Sequence, residues 1–314
     1  MALFDGRATA VEVMDGIRLD SKVAIVTGAN GGIGFETVRA LAIKGAHVIL
    51  ACRNLKSAEA AKASILREEP DVQLTVLRLD LSSLASVREF VEEFKSLKLP
   101  LHILINNAGL ASSEFMLTVD NLEVTFATNH VGHFLLTNLL LDLMISTALE
   151  SNSEGRIVIV ASRQHESARG INFDSLHKKS WLQSLPLVKS YHGLCSVYAQ
   201  SKLANVLHAK ELARLLKERG ANVTVNSLHP GVIHTNIVRN FFKPAEYMYN
   251  AFPRMFKTME QGAATTCYVA AHPDLNGVSG KYFVDCKEAP CSQYANDPEL
   301  AEHLWKYSEE LVRS

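Results

Sequence analysis

Residues 22–34, KVAIVTGANGGIG, join an apolar run to a glycine-rich turn, and this stretch decides the fold class. The apolar run 23–26 is typical of a β-strand that is covered on both faces. A helical pattern starts at about residue 33. A glycine-rich turn between a strand and a helix lets the backbone approach a pyrophosphate, and the helix N-terminus offers free N–H groups. The stretch therefore predicts a nucleotide-binding unit, and an ordinary tight turn is the alternative.

Short apolar runs alternate with longer helical patterns along most of the chain. We expect strands at residues 22–28, 46–51, 73–79, 102–107, 156–162, 223–229 and 281–285, and helices at about 33–44, 56–69, 83–96, 121–148, 196–219, 260–271 and 298–312. Alternation at this spacing predicts an α/β fold with a doubly wound parallel sheet of about seven strands and helices on both faces. Such sheets bind ligands at the carboxyl ends of their strands.

The composition bounds the function. The chain has 314 residues, 47% of them hydrophobic, a net charge of −1 and a pI near 6.9, which gives no reason to expect nucleic acid as a partner. The five cysteines include no C-x-x-C pair, and no H-E-x-x-H occurs, so we expect free thiols and no metal site. The apolar run 134–145 is too short to span a bilayer. We therefore expect a soluble, cytoplasmic protein with no transmembrane segment.

The end of the second strand bears on the choice of nucleotide. An acid there would bind the ribose 2′-hydroxyl of NAD, whereas an arginine accommodates the 2′-phosphate of NADP. The sequence has Arg53 and Asn54 after Cys52, with no acid. A guanidinium can make a forked contact to phosphate. This favours NADP(H), although Arg53 could also be a solvated loop residue.

Tyr198 and Lys202 lie four positions apart in a helical pattern, so their side chains point the same way, about one turn apart. The ordinary interpretation is an aromatic ring packed on a lysine stem. The alternative is a functional pair, and the motifs elsewhere in the chain decide between them.

Six short motifs follow one another in a fixed order. They are TGANGGIG (27–34), NNAG (106–109), NHVGHF (129–134), VAS (160–162), YAQSK (198–202) and HPG (229–231). In these motifs the chain resembles the classical short-chain dehydrogenase/reductase superfamily over about residues 20–285. Phrases such as ATNHVGHFLLTNLLLD are most similar to the branch that holds the plant dehydrogenases of the chloroplast envelope translocon, the WW-domain oxidoreductase and the retinol dehydrogenases. The resemblance implies one Rossmann-type domain over 1–314, with an N-terminal extension (1–20) and a substrate-side segment (231–259).

The resemblance implies a catalytic set of Asn129, Ser162, Tyr198 and Lys202. The tyrosine would exchange a proton with the substrate oxygen while hydride moves to or from nicotinamide C4. The nearby ammonium, together with the charge on oxidised nicotinamide, would stabilise the phenolate and lower the pKa of the phenol. Ser162 would hydrogen-bond the carbonyl oxygen, and Asn129 would hold a water that links Lys202 to solvent. Taken singly, Ser162 could end a strand and Asn129 could be an ordinary helix residue.

The cofactor site follows from the turn and the resemblance together. The predicted cofactor-binding residues are Gly28, Asn30, Gly31, Gly32, Ile33, Gly34, Arg53, Asn54, Asp80, Leu81, Asn107, Ala108, Gly109, Tyr198, Lys202, Pro230, Gly231 and Val232. Asp80 could equally be a helix cap.

These features predict an NADP(H)-dependent oxidoreductase that acts on the carbonyl or alcohol of a small molecule. The segment 231–259 is dense in aromatic residues and methionine, which favours a lipophilic substrate such as a terpenoid, steroid or retinoid-like carbonyl. Its candidate lining residues are Phe241, Phe242, Tyr247 and Tyr249. The same residues could instead be the buried face of short helices or part of a homodimer contact. Residues 163–195 form an insertion near the substrate entrance or a surface flap. The alternative function is a redox-sensing regulatory subunit that binds NADPH at the chloroplast envelope.

Overall fold

A computed structural model describes residues 4, 6–112, 114–177, 192–233 and 256–313, with the side chains of 192–196 excepted. Its centre is an eight-stranded sheet in the order β3-β2-β1-β4-β5-β6-β7-β8. The strands are β1 Val23–Thr27, β2 His47–Cys52, β3 Leu74–Arg78, β4 Ile103–Asn106, β5 Gly155–Val160, β6 Val223–His229, β7 Tyr282–Val284 and β8 Lys287–Glu288. The first seven are parallel, which confirms the predicted doubly wound sheet.

The helices are α1 Gly32–Ile43, α2 Leu55–Glu68, α3 Leu84–Ser96, α4 Val124–Phe126, α5 Gly132–Glu150, α6 His192–Glu218, α7 Met259–Ala271 and α8 Pro298–Arg313. Short 3₁₀ turns lie at Glu12–Met14, Arg163–Ser167, Phe173–Leu176, Pro273–Leu275 and Tyr294–Asn296. One long helix is predicted over 121–148, but the chain there forms α4, a π-helical turn at Ala127–Val131, and then α5. The π turn matters for the site described below.

Two hydrophobic cores lie on opposite faces of the sheet, because successive side chains of a strand point to opposite sides. Along β1, Ile25 belongs to the core under α3, α5, α6 and α8, while Ala24 and Val26 belong to the core under α1, α2 and α7. Every residue of β1 is buried. The prediction of helices on both faces is thus confirmed.

The strand order reverses between β1 and β4. Strand β1 pairs with β2 on one side and with β4 on the other, so the connections leave in opposite directions and open a crevice at the carboxyl ends of these two strands. Thr27 ends β1 and Asn106 ends β4, which places the glycine turn and NNAG side by side.

The described residues of the N-terminal extension pack against the body of the protein. The Ala10 N–H donates to the Glu260 carbonyl oxygen at 2.9 Å, and Val13 and Met14 are buried in the core beneath α7.

Two further findings bear on the sequence expectations. Strand β8 is antiparallel to β7 and is reached through Asp285 and Cys286, whose φ angles are +52° and +58°. The helical stretch Val124–Glu150 is long and apolar enough to cross a membrane, but 67% of its apolar window is buried inside the protein. This agrees with its expected place as a core helix.

Candidate active site

The turn between β1 and α1 brings the backbone into close contact with itself. Gly28 and Gly32 have φ angles of +65° and +58°, in the left-handed region that glycine reaches without strain. A Cβ on Gly34 would lie 2.3 Å from the Gly28 carbonyl oxygen and 2.7 Å from Asn107 Nδ2. The turn therefore accepts no side chain at position 34, and the N-terminus of α1 stays open.

A cavity of about 390 Å³ lies over this turn. Its lining residues are Gly28, Asn30, Gly31, Gly32, Ile33, Gly34, Ala51, Arg53, Leu79, Asp80, Leu81, Asn107, Ala108, Gly109, Leu110 and Thr128. Most of the predicted cofactor-binding residues are thus brought together at the carboxyl ends of β1 to β4. The sequence does not single out Ala51, Leu79, Leu110 and Thr128, since small and apolar wall residues carry no motif of their own.

Arg53 is exposed and borders the cavity where β2 ends. Asn54 lies beside it and caps α2, because its side chain accepts a hydrogen bond from the Ser57 N–H at 3.1 Å. Asn30 Nδ2 donates to Ser57 Oγ at 3.0 Å, which ties the glycine turn to the start of α2. The guanidinium, the turn and the α2 N-terminus therefore share one edge of the cavity.

Asp80 also borders the cavity, and it follows the strand next to β2, where the Leu79 N–H donates to the Cys52 carbonyl oxygen at 3.0 Å. Its Oδ1 accepts hydrogen bonds from the Ser82 N–H at 3.0 Å and from the Ser82 hydroxyl at 2.6 Å. The N-cap of α3 is Ser83, whose hydroxyl accepts from the Ser86 N–H. Asp80 orders the turn before the helix and does not cap it.

Tyr198 and Ser162 meet where β5 ends. The Tyr198 hydroxyl is hydrogen-bonded to Ser162. The Ser162 hydroxyl also accepts from the Gln164 N–H at 3.2 Å, which starts the 3₁₀ turn that follows. Lys202 is 3% exposed, its Nζ lies 5.7 Å from the centre of the Tyr198 ring, and it donates to the Val160 carbonyl oxygen at 2.9 Å.

Burial dominates the electrostatics of this pair. Burial raises the pKa of Tyr198 to about 12, and the Ser162 hydrogen bond opposes that rise. Burial lowers the pKa of Lys202 to about 8. In the chain by itself desolvation of the phenol therefore dominates, and the lowering of its pKa by the ammonium together with oxidised nicotinamide stays a prediction for the cofactor-bound protein.

Asn129 lies in the π turn and is fully buried. Its Nδ2 donates to the Leu110 carbonyl at 2.9 Å and to Ser201 Oγ at 3.0 Å, and its Oδ1 accepts from the Leu110 N–H at 2.8 Å. A Cβ on Gly109 would lie 3.3 Å from Asn129 Oδ1 and 3.4 Å from Lys202 Nζ. The asparagine, the lysine and the NNAG backbone thus converge at one place beside the cavity.

Comparison with known proteins agrees with this arrangement. The family model described as short chain dehydrogenase matches residues 22–171. The Brassica napus protein "Short-chain dehydrogenase TIC 32 B, chloroplastic" is 46% identical to this chain, over 99% of this chain and 95% of the relative. The chain belongs to the short-chain dehydrogenase family. This confirms the resemblance that the motifs carry.

Other short-chain dehydrogenase relatives cover most of the chain as well. The human "WW domain-containing oxidoreductase" is 42% identical over 99% of this chain and 72% of its own length. The human "Retinol dehydrogenase 14" is 42% identical over 94% of this chain and 87% of its own length. The crystal structure of an uncharacterized protein from Mycobacterium Paratuberculosis superposes with a TM-score of 0.75 at 31% identity, covering 98% of both chains.

Some predicted residues of this short-chain dehydrogenase lie elsewhere or outside the described part. The predicted cofactor-binding residues that do not line the cavity, as far as the structure describes it, are Asn54, Tyr198, Lys202, Pro230, Gly231 and Val232, and the last three follow β6. Gly231 has a φ of +103° and packs against the Lys257 side chain. Phe241, Phe242, Tyr247 and Tyr249 lie outside the described residues, as does most of the segment 231–259.

Sequence reasoning assigns no role to Thr27, Ser201 or His133, although each stands within a quoted motif. Ser201 Oγ donates to the Tyr198 carbonyl at 2.8 Å and so connects Tyr198 to Asn129. In the described ranges no group of three or more His, Cys, Asp or Glu side chains could hold a metal ion, and Cys52, Cys267, Cys286 and Cys291 are free thiols.

Proposed function

We propose that this short-chain dehydrogenase is an NADP(H)-dependent oxidoreductase that transfers hydride between nicotinamide C4 and the carbonyl or alcohol group of a lipophilic small molecule. The observation that carries the proposal is the Tyr198–Ser162 hydrogen bond, with Lys202 and Asn129 packed beside it at the edge of the glycine-lined cavity.

The residues present fit a dinucleotide. The cradle at Gly34 leaves no room for a Cβ, the N-terminus of α1 faces the cavity, and the wall includes Asp80 and Leu81. Backbone N–H groups at a helix N-terminus favour a pyrophosphate. Gly28, Gly32 and Gly34 would hold the phosphates, and Lys202 would contact the ribose nearest the reacting ring.

The bound cofactor supplies or accepts hydride at nicotinamide C4. Tyr198 remains protonated at neutral pH, since burial raises its pKa to about 12, so it is the acid that gives a proton to the substrate oxygen during reduction. Ser162 orients the phenol and hydrogen-bonds the same oxygen. Lys202 is mainly charged at pH 7, since its pKa is about 8, and its charge stabilises the phenolate that the proton transfer leaves. Asn129 fixes the backbone that flanks the lysine.

Arg53 supports the choice of NADP(H). Its side chain is exposed at the end of β2, beside the capped N-terminus of α2 and the Asn30–Ser57 contact, and a 2′-phosphate there would meet a guanidinium and a helix dipole together.

A lipophilic substrate is supported by apolar surface in the described part of the chain. The segment between Leu110 and α4 exposes Met116 and Leu117, and Val119 is 86% exposed. This segment follows Leu110, which lines the cavity, and exposed apolar side chains suit an apolar ligand. The name of the relative retinol dehydrogenase 14 agrees with this substrate class.

The remaining assignments stay predictions. They are the single domain over 1–314, the homodimer option, and the cytoplasm as location with the chloroplast envelope as the alternative. The relatives named chloroplastic support that alternative and, with it, a regulatory subunit that binds NADPH without turnover. The buried Ser162–Tyr198 contact favours the enzyme, because cofactor binding alone does not need a proton donor.

The test is a panel of carbonyl compounds of rising apolar surface, assayed with NADPH. We expect kcat/KM to rise with apolar surface, and Tyr198→Phe to lower turnover by about a hundredfold or more, the lower range for general acid–base catalysis, while NADPH still binds. Tyr268→Phe is the matched control, since its hydroxyl is buried on α7 without a partner in the described residues. NADPH binding with no turnover of any carbonyl would support the regulatory alternative instead.

A further inference from the structure

His133 joins two parts of the site through the two nitrogens of its ring. It lies on α5, is 1% exposed, and stands four residues after Asn129. Its Nδ1 lies 3.1 Å from the Asn129 carbonyl oxygen, and its Nε2 lies 2.8 Å from Thr27 Oγ1. Thr27 ends β1 immediately before the glycine turn, so the imidazole spans from the catalytic π turn to the cofactor cradle.

The hydrogens of this contact can be assigned from its two ends. A carbonyl oxygen only accepts, so Nδ1 must carry the proton that reaches Asn129. Thr27 Oγ1 accepts from the N–H groups of Asn107 and Ala108, both at 2.9 Å, which occupies both of its lone pairs. The threonine O–H is then left to donate, and Nε2 at 2.8 Å is far closer than the Ile105 carbonyl at 3.4 Å. Both ends therefore require the same Nδ1–H tautomer.

The imidazole is also held neutral. The pKa of His133 is lowered to about 4, mainly by burial; the hydrogen bond to the Asn129 carbonyl opposes this shift and the Lys202 ammonium adds to it. A neutral ring with one proton can serve as donor at one end and acceptor at the other, whereas an imidazolium would donate at both ends and displace the threonine hydrogen. The contact is thus a fixed, directed chain at physiological pH.

We propose that His133 is a positioning residue that couples the cofactor cradle to the active-site asparagine through a chain of hydrogen bonds. The chain begins at the Asn107 and Ala108 N–H groups, which donate to Thr27. It continues from the Thr27 hydroxyl to the Nδ1–H tautomer of His133, which donates to the Asn129 carbonyl. The chain fixes the carbonyl direction of the π turn, while Leu110 and Ser201 fix the Asn129 amide. The effects of His133 on kinetics rest on the proposed function, whereas the assignment of its Nδ1–H tautomer does not.

Two substitutions separate the ends of the chain. Asparagine places an amide N–H near the position of Nδ1, and glutamine places an amide oxygen near the position of Nε2. His133→Asn keeps the hydrogen bond to the Asn129 carbonyl and loses the one from the Thr27 hydroxyl. We therefore expect the NADPH dissociation constant to rise about tenfold, with kcat at saturating cofactor close to that of the wild type. His133→Gln keeps the hydrogen bond from the Thr27 hydroxyl and loses the one to the Asn129 carbonyl. We therefore expect kcat to fall about tenfold, with the NADPH dissociation constant within about threefold of the wild-type value. Equal effects of both variants on both quantities would reduce His133 to a packing residue and overturn the proposal.

The tautomer of His133 can be determined by ¹⁵N NMR spectroscopy, which needs neither turnover nor cofactor. In ¹⁵N-histidine-labelled full-length protein, the His133 signals are assigned by their loss in the His133→Gln variant, and we expect a protonated Nδ1 and an unprotonated Nε2. Thr27→Val removes the hydroxyl with its shape kept and should leave Nδ1 protonated while shifting the Nε2 resonance. A protonated Nε2 in the wild-type protein would overturn the hydrogen-bond chain. This measurement needs no substrate. If the hydrogen-bond chain is present but the protein shows no reductase activity, the result counts against the proposed function and not against the hydrogen-bond chain.

Discussion

Replacing His208 by phenylalanine tests how the buried imidazoles on α6 respond to acid. His208 is 2% exposed, and its ring lies 5.3 Å from that of Phe134 and 5.8 Å from that of Trp305 between centroids. Its Nε2 has no partner among the described residues. Burial, with His133 adding to the effect, lowers the pKa of His208 to about 3. An aromatic ring without a titrating nitrogen suits the same surroundings.

The magnitude follows from proton linkage. Between pH 6.5 and about 3 the unfolded chain carries a proton on this imidazole and the folded chain does not, so stability is complete above pH 6.5 and is lost as the pH falls through that window. One pH unit corresponds to about 1.4 kcal/mol, so the neutral His208 costs about 2 kcal/mol of the free energy of unfolding at pH 5. The variant removes this loss, whatever its packing costs at neutral pH.

The assay is urea unfolding followed by far-ultraviolet circular dichroism at pH 7.5, 6.5, 5.5 and 5. Fluorescence is avoided because Trp305 contacts the substituted ring. We expect the free energy of unfolding of His208→Phe, relative to wild type, to rise by about 2 kcal/mol between pH 7.5 and 5. His303→Phe on α8 is the control, because it makes the same substitution at an exposed histidine. A difference between wild type and His208→Phe that does not change with pH would refute the reasoning.

Three other predictions concern the site. Gly34→Ala should weaken NADPH binding in titration and cost about 1–3 kcal/mol of stability, because its Cβ would meet backbone at 2.3 Å. A Cβ on Gly31 in the same turn meets no protein atom within 4 Å, so Gly31→Ala should leave the free energy of unfolding in urea unchanged. Arg53→Asp should weaken NADPH binding by about tenfold or more and NADH binding less, since a hydrogen bond to a charged group contributes about 1.5–3 kcal/mol. Arg67→Asp, at the far end of α2, is the control and should leave the ratio of NADPH to NADH affinity, measured by equilibrium binding, unchanged. The kcat/KM of carbonyl reduction should fall as the pH rises through about 8, where Lys202 loses its charge, and Lys202→Arg should remove that limb; a profile flat from pH 7 to 9 would contradict the assignment.

The sequence predicts the sheet well because apolar runs and glycine turns are local signals. The predicted strand 22–28 corresponds to Val23–Thr27, and the predicted helix 260–271 to Met259–Ala271. Strand β8 escapes prediction because it is two exposed residues long, and its turn, Asp285–Cys286, has positive φ angles without the Asn-Gly or Asp-Gly pair that usually marks such a turn.

The π turn at Ala127–Val131 could not be predicted from periodicity. The π turn lies between α4 and α5, and the apolar pattern of the sequence continues through all three elements. The sequence alone therefore indicates one helix. The site residues are found by motif, but their partners are not. Thr27 and His133 act on other parts of the site through hydrogen bonds between elements far apart in sequence, and the distance of 106 positions between them leaves no local trace.

The motif glycines fall into two kinds, and only the structure separates them. Gly28 and Gly32 take left-handed backbone angles in the turn that faces the cavity, so their requirement is conformational. Gly132 instead has an ordinary helical position, yet a Cβ there would lie 2.3 Å from the Leu81 carbonyl oxygen. That contact seats the start of α5, one residue before His133, directly against the loop that borders the cavity. The glycine of NHVGHF therefore serves packing, and it holds the π turn that carries Asn129 close to the wall of the cavity.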